Sequence, residues 1–96
     1  LKRFDAAGKK TNDLVDFPVS NLDLSKYVED YSPKKYVYDL YGICNHMGST
    51  DGGHYTAFVK NIMGKWLYCN DESVSIITNL TQMVTPMAYC LFYRMK

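Results

Sequence analysis

The stretch HYTAFVKNIMGKWLYCND, residues 54–71, decides how this chain folds, because it reads as two strands joined by a short turn. Residues 54–61 and 65–71 are rich in aromatic and β-branched side chains, which favour strands. The turn at 62–64 contains Gly64, a residue that adopts the positive φ of hairpin turns without strain. The pattern therefore predicts an antiparallel β-hairpin.

The open end of this hairpin brings a histidine beside a side-chain acceptor. If the turn centres on Ile62, His54 lies opposite Asn70, and if the centre falls half a residue later it lies opposite Asp71. Directly opposed residues hold their Cβ atoms about 4.5–5.5 Å apart. A histidine base needs such an acceptor, and we expect it to hold Nδ1 so that Nε2 faces a nucleophile. The alternative is a polar pair that only caps the end of the sheet.

Outward from the hairpin, the pattern predicts more strands and little helix. Residues 36–45 are apolar on both faces, which is typical of a central strand, and alternation places Leu40 and Ile43 on opposite faces. The glycine-rich stretch HMGSTDGG, residues 46–53, is expected to be a loop. The other expected elements are a helical turn at 24–28, a short strand at 74–78, a loop or weak helical turn at 79–87 and a last strand at 88–96. The fold class is α+β, mostly antiparallel β.

Composition excludes several classes of protein. The 96 residues are enough for one small domain, and a net charge of +1 without a basic face argues against nucleic-acid binding. No apolar run is long enough to span a membrane, and nothing resembles a signal peptide. Three cysteines without paired spacing predict neither disulfides nor a zinc site, so we expect free thiols in a reducing compartment such as the cytoplasm or nucleus.

None of the three cysteines is a good candidate for a nucleophile. Cys44, Cys69 and Cys90 each lie within an apolar run, and none begins a helix, where a thiolate is stabilised. The chain therefore offers a base and a residue that orients it, but no nucleophile.

Six segments, in this order, resemble the ubiquitin-specific proteases, which are papain-like cysteine deubiquitinases. The similarity spans nearly the whole chain and includes the histidine box of that family. The matching residues are 1–4 (LKRF), 17–18 with 22–24 and 27, 38–43 with 45–48, 52–57 (GGHYTA), 66 with 70–71 and 74, and 88–89 with 91–93.

The resemblance implies roles for three catalytic residues. His54 would be the general base that activates a cysteine, and Asn70 would be the third member of the triad that holds its imidazole. Asp71 resembles a second acidic position that can assist in this family.

The resemblance also implies a substrate channel beside the histidine. Residues 46–53 resemble the family's blocking loop, which lies over the C-terminal tail of ubiquitin. Gly52 and Gly53 would let that Gly-Gly tail pass close to the backbone. Tyr55 would wall the channel, unless it is a core tyrosine, and His46 would anchor the loop or be exposed.

Residues 1–96 would thus be the C-terminal part of a catalytic domain, in the palm of the papain-like fold. The cysteine box of the family is not among these residues, and neither are the zinc-binding cysteines of its fingers region, so we expect no cofactor in this chain. The expected partners are ubiquitin, ubiquitinated proteins and the N-terminal part of the domain, and neither nucleic acid nor membrane.

The expected reaction is thiol-dependent hydrolysis of the (iso)peptide bond after the C-terminal glycine of ubiquitin, with this fragment inactive by itself. One alternative is a catalytically inactive ubiquitin-binding or scaffold module of the same fold. Another is a small tyrosine-rich β-barrel that binds peptides, although such a barrel gives no reason for the Gly-Gly-His-Tyr junction at residues 52–55.

Overall fold

A computed structural model describes residues 1–28, 35–49 and 52–96, and these residues form an antiparallel sheet with two short 3₁₀ turns. None of their helices is long and apolar enough to cross a membrane. The strands are β1 (Leu22–Asp23), β2 (Val37–Ser49), β3 (Gly52–Lys60), β4 (Trp66–Asn70), β5 (Ser73–Ile77) and β6 (Ala88–Met95), and the 3₁₀ turns are Ser25–Tyr27 and Leu80–Met83. The prediction of a mostly antiparallel β fold with little helix is confirmed.

Strand β2 is the centre of the sheet, as predicted. Its residue Gly42 pairs with Val59 in β3 on one edge and with Phe92 in β6 on the other edge. Strand β1 pairs with the start of β2 on the same side as β3. Tyr38 of β2 pairs with Leu22 of β1 and with Met95 of β6, so β1 and β6 lie on opposite sides of β2. Strands β4 and β5 extend the sheet beyond β3.

A β-bulge in β2 changes which side chains reach the core. Leu40 pairs with Tyr93 and Gly42 with Phe92, so Tyr41 is an extra residue with no partner of its own. An extra residue shifts the alternation of side chains by one position. Leu40 and Ile43 are therefore both in the core, each 1% exposed, and the prediction that they lie on opposite faces was wrong.

The predicted loop at 46–53 is largely strand. Strand β2 continues to Ser49 and β3 begins at Gly52, with Gly48 paired to Gly53, while Thr50 and Asp51 lie outside the described residues. The pairing extends this far because glycines without side chains let the two backbones approach closely. The hairpin β2–β3 therefore carries the histidine box to its tip.

The core lies on one face of the sheet only. It is covered by the segment around Phe17 and by the 3₁₀ turn that contains Met83, both of which are buried. The seven core residues are Phe17, Leu40, Ile43, Phe58, Trp66, Met83 and Ala88. The chain is thin, at 45 × 38 × 18 Å, and its radius of gyration of 15.4 Å exceeds the roughly 12–13 Å expected of a compact domain of this length.

The opposite side of the sheet, which we call the open face, carries two apolar rows that run across five strands. The first row is Phe92, Gly42, Val59, Leu67 and Ile76, and the second is Cys90, Cys44, Ala57, Cys69 and Val74. Several of these side chains are exposed, including Val59, Phe92 and Ile76. An apolar patch of this extent on a soluble protein marks a contact surface.

We expect residues 1–96 by themselves to self-associate through the open face. Light scattering at rising protein concentration should show a molar mass well above that of the monomer, because association removes the apolar rows from water. Replacing both Val59 and Phe92 with lysine should restore the monomer. A monodisperse wild-type monomer at high concentration would contradict this expectation.

Candidate active site

The turn of the β3–β4 hairpin fixes a register that differs from both predicted ones. The backbone N–H of Asn61 donates to the carbonyl of Lys65 at 2.8 Å. The side-chain oxygen of Asn61 accepts hydrogen bonds from the N–H groups of Met63 and Lys65. The turn therefore centres on Met63 and not at or just after Ile62.

His54 meets its acceptor across a diagonal of the sheet. Ala57 pairs with Cys69, and continuing this register by one step places Asn70 level with Thr56. His54 is two residues further along β3 on the same face, so both predicted pairings of His54 with a directly opposed residue were wrong. Diagonal neighbours have Cα atoms about 7–8 Å apart, within reach of long side chains.

The contact itself is a short hydrogen bond. Nε2 of His54 lies 2.7 Å from Oδ1 of Asn70. Because an amide oxygen only accepts, Nε2 carries the proton, and in the neutral ring Nδ1 is then the free base. The expectation that Nδ1 would be the held nitrogen was wrong, since Nε2 is further from the backbone and reaches the diagonal partner. The side chain of His54 is 44% exposed, so a group outside this chain can approach the ring.

Asp71 also lies near Nε2 of His54. It begins the two-residue turn between β4 and β5 and has a φ of 52°, which aspartate tolerates better than most residues. Its Oδ2 lies 3.9 Å from Nε2 of His54, too far for a hydrogen bond. The carboxylate is exposed, so its attraction for an imidazolium at His54 is screened by water.

The two glycines before His54 differ in what surrounds them. A Cβ on Gly53 would lie 2.4 Å from the carbonyl oxygen of Met47 and 2.6 Å from Nε2 of His46, so the fold itself requires glycine there. Among the described residues, which leave out the adjacent Thr50 and Asp51, a Cβ on Gly52 would meet nothing within 4 Å. The surface above Gly52 is therefore open to a molecule that passes over the tip of the hairpin.

His46 is buried, so the expectation that it might be an exposed histidine was wrong. It is 5% exposed and packs against the rings of Tyr55 at 4.8 Å and Tyr89 at 5.6 Å between centroids. The ammonium of Lys10 donates to its Nδ1 at 3.0 Å. His46 therefore has no free basic nitrogen, in contrast to His54.

Tyr55 lies at the surface with 57% of its area exposed, so it is not a core tyrosine. Together with Phe4, His46, Ser49 and Tyr89 it lines a pocket of about 240 Å³ on the opposite face of β3 from His54. A larger pocket of about 500 Å³ is lined by another set of residues, none of which belongs to the candidate site.

The cysteines lie half-buried on the open face, and Cys69, although it directly precedes Asn70, points away from His54. Burial raises the pKa of the Cys44 thiol, and the neighbouring Cys90 adds to this effect. A raised pKa disfavours the thiolate that a nucleophile needs. Among the described residues, no group of three or more His, Cys, Asp or Glu side chains is placed to hold a metal ion.

The sequence pattern gives no reason to single out Lys10. Its partner His46 follows 36 positions later in the chain, and only the fold brings them together. Trp66, in contrast, is buried in the core as its apolar surroundings indicate.

The chain is similar to ubiquitin carboxyl-terminal hydrolases. Residues 1–93 match the family model of ubiquitin carboxyl-terminal hydrolases. Ubiquitin carboxyl-terminal hydrolase 4 of Mus musculus is 47% identical over 91% of this chain and 9% of its own length. Ubiquitin carboxyl-terminal hydrolase 10 of Arabidopsis thaliana is 44% identical over 98% of this chain and 10% of its own length. The chain thus spans about a tenth of these relatives.

Solved structures agree with the sequence relatives. The Ubp8-Sgf11-Sgf73-Sus1 SAGA DUB module contains a chain that matches with a TM-score of 0.83 at 34% identity, over 99% of this chain and 22% of that one. The SAGA Ubp8/Sgf11/Sus1/Sgf73 DUB module bound to ubiquitin aldehyde matches with a TM-score of 0.82 at 31% identity, over 99% of this chain and 23% of that one. From its family match and these likenesses, the chain belongs to the ubiquitin carboxyl-terminal hydrolase family, as a piece of the ubiquitin-specific protease fold.

Proposed function

We propose that this chain is the C-terminal part of the catalytic domain of a thiol-dependent deubiquitinase, with His54 as general base and Asn70 as the residue that orients it. The observation that carries the proposal is the 2.7 Å bond from Nε2 of His54 to Asn70, which leaves Nδ1 free on a half-exposed ring. Family membership supplies the reaction class. The reaction is hydrolysis of the bond after the C-terminal glycine of ubiquitin.

The nucleophile in this proposal is a cysteine from another part of the same protein. Nδ1 of His54 takes the proton of that thiol, and the thiolate attacks the carbonyl carbon of the scissile bond. His54 then returns the proton to the leaving amine, and a thioester remains. In the second half, His54 removes a proton from water, and the oxygen of that water attacks the thioester carbonyl. The C–S bond breaks, ubiquitin leaves as its carboxylate, and His54 returns the proton to the cysteine sulfur. Asn70 keeps the proton on Nε2 throughout, so Nδ1 remains the nitrogen that exchanges protons.

The tail of ubiquitin is the proposed ligand of the hairpin tip. No described side chain fills the space beside Gly52, which favours it as the place where the tail passes. Gly53 follows directly in the strand, and Tyr55 is exposed on the other face of β3 from His54. A structural relative is described as bound to ubiquitin aldehyde, which supports ubiquitin as the partner. Free, half-buried thiols fit the cytoplasm or nucleus as the compartment.

The test of this proposal is turnover of a ubiquitin substrate with a C-terminal fluorogenic group by the full-length protein that contains this chain. Turnover that depends on His54 supports the enzyme. Binding of ubiquitin without turnover would support the second candidate, an inactive ubiquitin-binding module. The intact His54–Asn70 bond favours the enzyme, because a binding module has no need of an oriented base.

We expect the two residues behind His54 to contribute unequally. Asn70→Ala should lower kcat by roughly 10- to 100-fold, because the ring loses the acceptor that selects its tautomer. Asp71→Ala should cost only a few-fold, since its carboxylate is exposed and 3.9 Å away. Asn70→Asp, which keeps an acceptor, should recover much of the loss. Equal, near-total loss in both alanine variants would contradict this division of roles.

A further inference from the structure

Lys10 crosses from the N-terminal part of the chain to the tip of the β2–β3 hairpin. It lies opposite Phe4 in an isolated antiparallel bridge. Its ammonium donates to Nδ1 of His46 at 3.0 Å and to the carbonyl oxygen of His46 at 2.7 Å. One cation thus holds both the ring and the backbone of the same residue.

These two hydrogen bonds determine the position of His46 and also which of its ring nitrogens carries the proton. A lysine ammonium has donors only, so Nδ1 of His46 must accept and its proton must be on Nε2. Among the described residues no carboxylate forms an ion pair with Lys10, and its two side-chain bonds both go to His46. Within the described part of the chain, His46 is therefore the one partner of this ammonium.

His46 in turn lies against the segment that we propose contacts ubiquitin. Its ring packs on Tyr55, and its Nε2 and Cε1 border Gly53 so closely that a Cβ there would lie 2.6 and 3.2 Å away. A rotation of the imidazole would therefore push on Gly53 or release Tyr55. Gly53 directly precedes His54, but the bond of His54 to Asn70 is made on the other face of the hairpin.

We propose that Lys10 is a positioning residue of the enzyme: through His46 it holds Gly53 and Tyr55 in the conformation that receives the substrate tail. This inference rests on the proposed function and deepens it. Lys10 touches neither the reacting atoms nor His54. Its effect is on substrate binding, and the base with its partner is left unchanged.

The test is steady-state kinetics of Lys10→Met in the full-length protein, with the fluorogenic ubiquitin substrate. Methionine keeps the apolar length of the side chain and removes all donors. We expect KM to rise about tenfold and kcat to change less than about twofold, because the lost contacts act alike in the ground state and the transition state. Lys10→Arg, which keeps donors and charge, should restore most of the affinity.

Lys9→Met is the matched control, since Lys9 is exposed and the same charge is lost. It should have the KM of the wild type. A double-mutant cycle with His46→Ala separates an effect of Lys10 through His46 from an effect of its charge on ubiquitin. If Lys10 acts through His46, Lys10→Met should have no further effect on KM in the His46→Ala background. If Lys10 attracted ubiquitin by its charge alone, Lys10→Met would raise KM equally in both backgrounds, and the inference would be overturned.

Two other results would also overturn the inference that Lys10 is a positioning residue. One is an unchanged KM in Lys10→Met, and the other is a fall in kcat without a rise in KM. If Lys10→Met does not fold by circular dichroism, Lys10→Gln replaces it, with one donor group retained and a smaller rise in KM expected. His54→Ala in the same assay separates this inference from the proposed function: full activity there would refute the function itself, whereas inactivity there with a normal Lys10→Met would refute the role of Lys10 only.

Discussion

His54→Ala in the full-length protein should lower kcat for the fluorogenic ubiquitin substrate by at least about 100-fold, as expected when a general base is lost. The ring that alanine removes is the one in which Asn70 holds Nε2 and leaves Nδ1 free. Without it, no group in the described residues is placed to take the proton of an incoming thiol. Binding of ubiquitin should change little, because the tip of the hairpin is intact.

The other histidine of the chain is the matched control for this experiment. In His46→Ala we expect kcat to stay close to that of the wild type and KM to rise, because Nδ1 of His46 is bonded to Lys10 and is not free to act as the base. A near-wild-type kcat in His54→Ala would refute the assignment of the base. Equal losses of kcat in both variants would show that the site had collapsed.

Gly53→Ala should destabilise the protein by at least about 2 kcal/mol, because a side chain at this position meets backbone and adopts a strained φ. Its Cβ would lie 2.4 Å from the carbonyl oxygen of Met47, and its φ is +154°. That oxygen belongs to the paired strand, so it cannot move aside without breaking the ladder. Chemical denaturation of the full-length protein measures the loss.

Gly52→Ala provides the comparison, since a Cβ on the adjacent Gly52 would meet no atom of the described residues within 4 Å. Its free energy of unfolding should be within about 0.5 kcal/mol of the wild type, as is usual for surface substitutions. Its KM should nevertheless rise, because the new methyl group would occupy the path proposed for the substrate tail. A stable Gly53→Ala variant would mean that the hairpin tip is looser than the contacts of Gly53 indicate.

The elements of this fold were readable from the sequence, but their exact alignment was not. Alternation and β-propensity predicted the β3–β4 hairpin and the central strand correctly. The register failed because the side chain of Asn61 closes the turn by accepting two backbone N–H groups, which moves its centre to Met63. A strand pattern carries no information on such a contact.

The faces of β2 were mispredicted for a related reason. Alternation separates Leu40 from Ile43, whereas the bulge at Tyr41 unites them in the core. A bulge depends on how two strands match in length and twist, and no single strand displays this.

The proximity of the three candidate residues was predictable, but the atoms that make their contacts were not. The spacing of the hairpin and the family motifs led to His54, Asn70 and Asp71, and the structure brings these three together. Which ring nitrogen faces Asn70 depends on the diagonal position of the partner, which follows from the register. Lys10 and the burial of His46 are long-range features, so no local pattern indicates them.

The closed turn at Asn61 has a consequence for how this hairpin can change over evolution. Side chains in a strand alternate with a period of two. One residue gained or lost between β3 and β4 would therefore move Asn70 to the opposite face of the sheet, and His54 would lose its hydrogen-bond acceptor. Only changes in steps of two would keep the amide on the correct side. The loop length at one end of the hairpin therefore governs the chemistry at the opposite end, with no part in the reaction itself.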